Sequence, residues 1–128
     1  MAVDLSMPVL VVDDYKTMVR IIQNLLKSLG FTDVHGVVSG EEAFAKMAEH
    51  RFSLVISDWN MEPMSGLDLL AKVRGDQGLK GTPFIMVTAE SKTENVVAAK
   101  RAGVNNYIVK PFNAQTLKQK IVAVLGEF

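Results

Sequence analysis

Four short apolar runs in this sequence end in polar side chains that phosphoryl chemistry can use. VLVV leads into Asp13 and Asp14, LVIS into Asp58, FIMV into Thr88, and YIV into Lys110. Because parallel strands of an open α/β sheet bring their carboxyl ends to one edge, we expect these side chains to converge on one crevice. The sequence therefore predicts a site with three carboxylates, a hydroxyl and an ammonium.

The three carboxylates of Asp13, Asp14 and Asp58 would repel one another in one crevice, so without a cation at least one pKa should rise. A hard divalent ion bound through oxygens removes that cost, and Mg²⁺ suits a site with few protein ligands and room for phosphate oxygens. Taken alone, the Asp13–Asp14 pair fits turn and helix-capping chemistry equally well. Both interpretations of the pair stay open at this point.

Asp58 is the candidate nucleophile, because a polar turn follows its apolar strand at once. A carboxylate beside a metal can attack phosphorus and form an acyl phosphate. The hydroxyl of Thr88 and the positive charge of Lys110 could then hold the phosphoryl oxygens. Each of these two residues alone also fits an ordinary strand position or a solvated strand end. Their shared position at successive strand ends favours the functional interpretation.

Composition predicts one ordinary globular domain. The chain has 128 residues, 48% of them hydrophobic, with 14 basic residues balancing 14 acidic ones and no cysteine. Balanced charge gives no general attraction to nucleic acid or anionic membranes, and the missing cysteines exclude disulfides and thiolate sites. The early apolar stretch from Met7 to Val12 is too short to span a membrane. We expect a cytoplasmic monomer that binds neither nucleic acid nor membrane.

Short β-branched runs alternate with segments of helical period, which is typical of βα units and a parallel sheet. The predicted strands are Val9 to Asp13, Val34 to Val38, Ser53 to Ser57, Pro83 to Thr88 and Asn106 to Lys110. The Val34 strand is the weakest, because Gly36 interrupts it. No linker or repeat separates these units, so the sequence predicts an α/β fold in a single domain over residues 1–128.

Apolar spacing predicts which helix positions face the core, and capping residues predict where helices start. The predicted inner faces are Met18, Ile22, Leu25, Leu26 and Leu29 in the first helix, Phe44, Met47 and Ala48 in the second, Leu67, Leu70, Ala71 and Arg74 in the third, and Leu117, Ile121, Val124 and Leu125 in the fifth. Capping boxes are predicted at Ser39–Glu42 and Ser91–Glu94, with Asn113 capping the last helix and glycines ending the first and fourth helices at Gly30 and Gly103.

Four runs also carry a resemblance to a known family: VLVVDD, LVISDWNM, MVTAE and YIVKPF, in this order and spacing. Through them, nearly the whole chain resembles the receiver domain of two-component response regulators. It is most similar to the stand-alone chemotaxis regulators of the CheY type, through Lys16-Thr17-Met18 and Lys110-Pro111-Phe112. The resemblance implies a flavodoxin-like, doubly wound (βα)5 three-layer sandwich with strand order 2-1-3-4-5.

The resemblance also implies a role for each site residue. Asp14, Asp58 and the backbone carbonyl of Asn60 would bind Mg²⁺, with Asp13 supporting through water. Asp58 would accept the phosphoryl group from a histidine kinase, and Lys110 would hold that group. Thr88 and Tyr107 would form the switch pair. The Lys110–Pro111 peptide bond is a candidate for the cis isomer, which X–Pro bonds populate readily.

The implied output is a changed binding face on the fourth helix, the fifth strand and the fifth helix. Partners would be a flagellar motor switch protein or another downstream protein and, where present, a phosphatase. The chain would catalyse only its own phosphoryl transfer and dephosphorylation. A phosphorelay intermediate, phosphate sink or kinase scaffold outside motility is the alternative. No helix-turn-helix follows, so we do not expect direct control of transcription. The predicted contact residues, which could also be plain core or solvated positions, are Lys92, Val96, Tyr107, Val109, Ala114 and Lys120.

Two other classes fit the sequence less well. An aspartyl-phosphate phosphatase would carry its nucleophile and a second aspartate after the first strand, together with a cap region for the substrate. A flavin or nucleotide carrier would need a phosphate cradle, whereas the loops after the first and third strands are acidic. One position departs from the receiver pattern: Glu62 stands where proline is usual, and Pro63 is displaced by one residue. Glu62 could accept a hydrogen bond from metal-bound water or be a solvated loop residue.

Overall fold

The fold comes from a computed structural model that describes residues 3–89 and 93–128. In these ranges five strands alternate with five helices. The strands are β1 (Val9–Val12), β2 (Val34–Val37), β3 (Leu54–Asp58), β4 (Phe84–Thr88) and β5 (Asn106–Val109). The helices are α1 (Lys16–Ser28), α2 (Gly40–Glu49), α3 (Gly66–Gly75), α4 (Thr93–Ala102) and α5 (Ala114–Leu125). Element boundaries differ from the sequence prediction by only one or two residues.

The five strands form one parallel sheet of order β2-β1-β3-β4-β5, which confirms the predicted fold class and topology. β1 pairs with both β2 and β3, so that Val9 lies opposite Val34 on one side and Leu54 on the other. The order in which strands are added reverses at β1, because β2 lies on one side of β1 and β3, β4 and β5 follow on the other. Ligands of open α/β sheets bind outside the carboxyl ends of the strands at such a reversal.

Two apolar clusters cover the two faces of the sheet. Residues of α1 and α5 pack on one face, and residues of α2 and α3 pack on the other together with part of α4. The strands β1 and β4 are buried along their whole length, since each is covered from both sides. Because both faces of β1 and β4 are covered, their sequences are continuous apolar runs and do not alternate between apolar and polar residues. No helix in the described ranges is long and apolar enough to cross a membrane.

The inner faces of α2 and α3 differ from the prediction. Ala43 and Met47 are buried in α2, whereas Ala48 is exposed. The first residue of each helix explains the shift, because both helices start on a glycine packed against the loop after β3. A Cβ at Gly40 would press on Met64, and one at Gly66 would overlap the Asp58 carbonyl oxygen. In each helix the buried residues follow the first glycine at helical spacing. In α3 the buried residues are Gly66, Leu69, Leu70 and Val73, whereas the predicted Leu67 and Ala71 are not buried.

In α1 the structure adds a residue that the prediction missed. Val19 is buried together with Ile22 and Leu26, while the other predicted positions are partly buried. A Cβ at Gly36 of β2 would meet the Val19 side chain. The glycine that weakens β2 in the sequence therefore lets α1 lie close against this edge strand.

Helix caps follow the prediction in part. Ser39 accepts a hydrogen bond from the Glu42 N–H at 3.1 Å, but the Glu42 carboxylate accepts from the Val38 N–H at 3.3 Å, so the reciprocal half of the predicted box is wrong. The complete capping box lies at α3, between Ser65 and Asp68. Asn113 caps α5 as predicted, since its Oδ1 accepts from the Thr116 N–H at 2.9 Å. The box predicted at Ser91 lies outside the described residues.

Arg74 is a cross-link and not simply an inner-face residue of α3. Its half-buried guanidinium donates to the carbonyls of Thr82 at 2.7 Å, Lys80 at 2.9 Å and Gly103 at 2.9 Å, and to Oδ1 of Asn105 at 2.9 Å. Burial lowers the pKa of Arg74 from its ordinary value. One side chain thus fastens the end of α3 to the loop before β4 and to the turn between α4 and β5.

We predict that Arg74→Met lowers the free energy of unfolding by about 2–4 kcal/mol, because four hydrogen bonds from a charged donor are lost and the part-buried carbonyls of Thr82 and Gly103 are left without it. Urea unfolding measures the change. Arg101→Met is the matched control, because Arg101 is exposed on α4 and such substitutions usually stay within about 0.5 kcal/mol. A loss at Arg74 no larger than at Arg101 would contradict the cross-linking role.

Candidate functional site

The carboxyl edge of the sheet brings three predicted site residues into contact. Asp13 follows β1 directly, Asp58 ends β3, and Lys110 follows β5. The Lys110 Nζ lies 2.9 Å from Oδ1 of Asp58 and 3.7 Å from Oδ2 of Asp13. Parallel topology therefore places residues that are distant in sequence around a single ammonium group.

Asp14 completes a group of three carboxylates. One oxygen each from Asp13, Asp14 and Asp58 lies within 4.8 Å of the others, and in ranges 3–89 and 93–128 no other such group of acidic, histidine or cysteine ligands occurs. Asp13 and Asp58 are 1% and 5% exposed, whereas Asp14 is exposed. The group is therefore buried on one side and open to solvent on the other.

Burial raises the pKa of both inner carboxyls. For Asp58, desolvation is the largest cause, the hydrogen bond and charge of Lys110 oppose it, and the charge of Asp14 adds to it. For Asp13, desolvation is again the largest cause, the hydrogen bond from the Tyr15 N–H opposes it, and the charge of Asp58 adds to it. One ammonium thus offsets only part of the cost of ionising two buried carboxyls.

Asp13 also carries an orphaned oxygen. Its Oδ1 accepts from the Tyr15 N–H at 2.9 Å, but its buried Oδ2 has no hydrogen-bond partner among the described residues. Buried polar atoms without partners are rare and call for a missing water or ion. With oxygen donors, excess negative charge and one open side, these residues fit a hard divalent cation such as Mg²⁺.

The loop after β3 is fixed by backbone hydrogen bonds. The Trp59 N–H donates to the Val87 carbonyl at 2.8 Å, and the Gly66 N–H donates to the Trp59 carbonyl at 2.9 Å. Gly66 must approach the Asp58 backbone so closely that any Cβ would overlap its carbonyl oxygen. Asn60, the predicted carbonyl ligand, is an exposed residue of this loop, two positions after Asp58.

Glu62 lies outside the carboxylate group. It is exposed, and within the described chain the close-lying oxygens belong to Asp13, Asp14 and Asp58. Glu62 is therefore not one of the grouped carboxylates, and both interpretations of its role stay predictions. The Glu62–Pro63 and Lys110–Pro111 peptide bonds are both cis, the second as the sequence suggested.

The structure brings the predicted switch pair to one cavity. Thr88 is buried at the end of β4, and its backbone carbonyl accepts from the Lys110 N–H at 2.8 Å. Tyr107 lies on the neighbouring β5 and is partly buried. A narrow cavity with about 210 Å³ of empty space, its open mouth included, is lined by Trp59, Thr88, Asn95, Val96, Ala99 and Tyr107.

The predicted contact residues share an intermediate burial. Val96 and Val109, which could have been plain core residues, are partly exposed, as are Tyr107, Ala114 and Lys120. Lys92 lies outside the described residues. The five described positions are therefore partly accessible to a partner.

Sequence reasoning missed two residues beside the carboxylates. The Ser57 hydroxyl, fully buried, donates to the Asp58 carbonyl at 3.0 Å. Tyr15 donates its N–H to Asp13 and exposes 67% of its surface next to the site. A serine inside an otherwise apolar strand was the available signal for Ser57. A backbone donor such as that of Tyr15 leaves no signal in residue type.

Comparison with known proteins identifies close relatives. The family model for the response regulator receiver domain matches residues 9–122. The chemotaxis protein CheY of Pseudomonas aeruginosa is 50% identical over 115 residues, covering 90% of this chain and 93% of that protein. Chemotaxis protein CheY-3 of Vibrio cholerae is 47% identical over 116 residues, covering 91% of this chain and 89% of that protein.

Solved structures agree with these relatives. Chemotaxis protein CheY4 of Vibrio cholerae superimposes with a TM-score of 0.88 at 35% identity, covering 94% of this chain and 99% of that one. A response regulator from Chloroflexus aurantiacus gives a TM-score of 0.88 at 29% identity, covering 95% and 99%. The similarity therefore extends over nearly the whole chain.

The raised pKa of Asp13 predicts how stability depends on pH. The folded protein binds a proton at this carboxyl more readily than the unfolded chain, so stability falls as the pH rises through the raised pKa. In metal-free protein at pH 7, Asp13→Asn should therefore raise the free energy of unfolding. The gain should shrink as the pH falls toward the ordinary value of 3.8.

Urea unfolding at a series of pH values checks this expectation. Asp14→Asn is the control, because Asp14 is exposed and its removal should change stability by a smaller amount. If Asp13→Asn leaves the protein no more stable at neutral pH, the buried carboxylate does not carry the desolvation cost.

Proposed function

The chain belongs to the response regulator receiver domain family, and on this premise we propose that Asp58 accepts a phosphoryl group from a histidine kinase. The observation that carries the proposal is the position of the Asp58 carboxylate, 2.9 Å from the Lys110 ammonium and within 4.8 Å of two further carboxylates. Its place at the end of β3 leaves it at the edge of the sheet where a phosphodonor can approach.

Mg²⁺ would be held by Asp14, Asp58 and the Asn60 carbonyl, with Asp13 supporting through water. When bound, it neutralises the charge that the carboxylates and the phosphoryl oxygens bring together. The Oδ2 of Asp13 supports this assignment, because it is a buried acceptor without a hydrogen-bond partner in the described part of the chain and belongs to a residue of the three-carboxylate group. Glu62 is not needed as a ligand.

The reaction uses the ionised form of Asp58, which the Lys110 ammonium stabilises against desolvation. A carboxylate oxygen attacks phosphorus, a P–O bond forms, and the P–N bond to the kinase histidine breaks. The leaving imidazole takes a proton from solvent. Water later cleaves the acyl phosphate, which releases inorganic phosphate and restores the carboxylate. The chain therefore acts as a switch, and its only chemistry is on itself.

Phosphorylation changes the charge at Asp58 from one negative charge to nearly two and adds acceptor oxygens. Lys110 and the Thr88 hydroxyl then gain a partner that exists only in the modified state. If Thr88 shifts toward the phosphoryl group, space opens in the cavity that Thr88 and Tyr107 both line. The ring of Tyr107 can then turn into that cavity. A switch from mostly inactive to mostly active needs differential stabilisation of about 3–5 kcal/mol, which a few charge-assisted contacts can supply.

The output partner we propose is a flagellar motor switch protein that binds the surface of α4, β5 and α5. The chemotaxis names of two relatives near 50% identity support this choice. We place the protein in the cytoplasm, as a single receiver domain acting as a monomer, with a phosphatase as a further partner. A relay or phosphate sink would bind a second histidine protein instead, so capture on motor-switch and kinase proteins separates the two functions.

We predict that incubation with acetyl phosphate and Mg²⁺ adds one phosphoryl group and that Asp58→Asn abolishes the addition. Mass spectrometry of the intact protein measures the uptake. Glu41→Gln, which removes an exposed carboxylate of α2, should leave the uptake unchanged. Undiminished labelling of the Asp58→Asn variant would refute the assignment.

Lys110→Ala should retain most Mg²⁺ affinity but lose the phosphorylation-dependent gain in binding to the motor switch protein, because the ammonium is directed at the phosphoryl group. Titration of both proteins with Mg²⁺ and with the partner measures the two effects separately. Lys27→Ala serves as control, since Lys27 is exposed in the last turn of α1. A full gain in partner affinity in Lys110→Ala would exclude the coupling role.

A further inference from the structure

A lysine ammonium lies against the ring of Tyr107. The Lys120 Nζ of α5 lies 5.1 Å from the ring centroid, which is inside the range of cation–π attraction. Among the residues that the structure describes, no carboxylate forms an ion pair with Lys120. The ammonium is therefore placed against the aromatic ring instead of a carboxylate.

Asn106 holds the two backbones together at this contact. Its Oδ1 accepts from the Tyr107 N–H at 2.9 Å, and its Nδ2 donates to the Lys120 carbonyl at 3.4 Å. One side chain thus connects β5 to α5 at the two residues whose side chains meet. This connection fixes the two backbone positions from which the Tyr107 and Lys120 side chains extend.

Tyr107 also lines the cavity that it shares with Thr88, whereas Lys120 is not one of the residues around that cavity. A rotation that carries the ring into the cavity therefore takes it away from the ammonium. The cation–π contact stabilises the ring position described here relative to a position turned into the cavity.

We propose that Lys120 is a positioning residue of the switch: its ammonium holds the Tyr107 ring outside the cavity in the unphosphorylated protein. The inference rests on the proposed function, because it assigns the regulation of the same switch pair. A cation–π contact at a partly exposed site shifts a two-state equilibrium by about two- to fivefold. Lys120 then sets how much of the protein has the inward ring before phosphorylation.

The test is fluorine NMR of the full chain labelled with 3-fluorotyrosine. The chain has two tyrosines, and Tyr15, which is 67% exposed, provides an internal reference. Lys120→Met keeps the apolar stem and removes the charge, so the ratio of inward to outward Tyr107 should rise about two- to fivefold. Lys120→Arg keeps a cation that stacks on aromatic rings and should restore the original ratio.

Lys118→Met is the matched control. Lys118 lies on the same helix with its Nζ 5.0 Å from the centroid of the Phe128 ring, so this variant removes the same kind of contact away from the switch. The Tyr107 ratio should stay unchanged in it. An unchanged ratio in Lys120→Met, or an equal change in Lys118→Met, would overturn the proposal. Urea unfolding of each variant establishes that the ratio comes from folded protein.

Acetyl phosphate uptake by the same samples separates the two proposals. If Asp58 is modified in every variant and the Tyr107 ratio does not depend on Lys120, the role of Lys120 is wrong and the proposed function stands. If no sample takes up a phosphoryl group, the proposed function fails, whatever the Tyr107 ratio is. A rise in both the inward ratio and the uptake rate in Lys120→Met supports the two together.

Discussion

The electrostatic interaction of Lys110 with two buried carboxylates is the constraint on which the site depends. At 2.9 Å from Asp58 and 3.7 Å from Asp13, the ammonium compensates part of a desolvation cost that raises both pKa values. The exposed Asp14 adds a third negative charge. The described site residues are therefore short of positive charge, which supports the proposed binding of a divalent cation and of a phosphoryl group beside Lys110.

The sheet makes this arrangement possible. Because β1 and β3 are hydrogen-bonded neighbours at the point where the strand order reverses, the residues at their carboxyl ends must lie side by side. Gly66 then brings the start of α3 against the Asp58 backbone. On the other side of the site, β4 and β5 place Thr88 and Tyr107 around one cavity, and the ring of Tyr107 also contacts the Lys120 ammonium.

The convergence of Asp13, Asp58 and Lys110 could be predicted from the residues, because apolar runs mark buried strands and parallel strands bring their carboxyl ends to one edge of the sheet. The strand order was implied by the family resemblance. Helix faces were harder. Ala48 and Ala71 fit the apolar spacing but are exposed, since the close packing of Gly40 and Gly66 sets the rotation of their helices. The hydrogen bonds of Arg74 and the orphaned oxygen of Asp13 could not be predicted, because both depend on distances across the fold.

The shortage of positive charge is tested most directly by thermal unfolding at increasing Mg²⁺ concentration. A ligand that binds only the folded state raises the melting temperature with its concentration. We expect the melting temperature of the natural chain to rise steadily with Mg²⁺ at neutral pH and that of Asp58→Asn to rise much less. The same amount of K⁺ should not raise the melting temperature of either protein. A melting temperature that does not respond to Mg²⁺, or that rises equally in both proteins, would contradict this expectation.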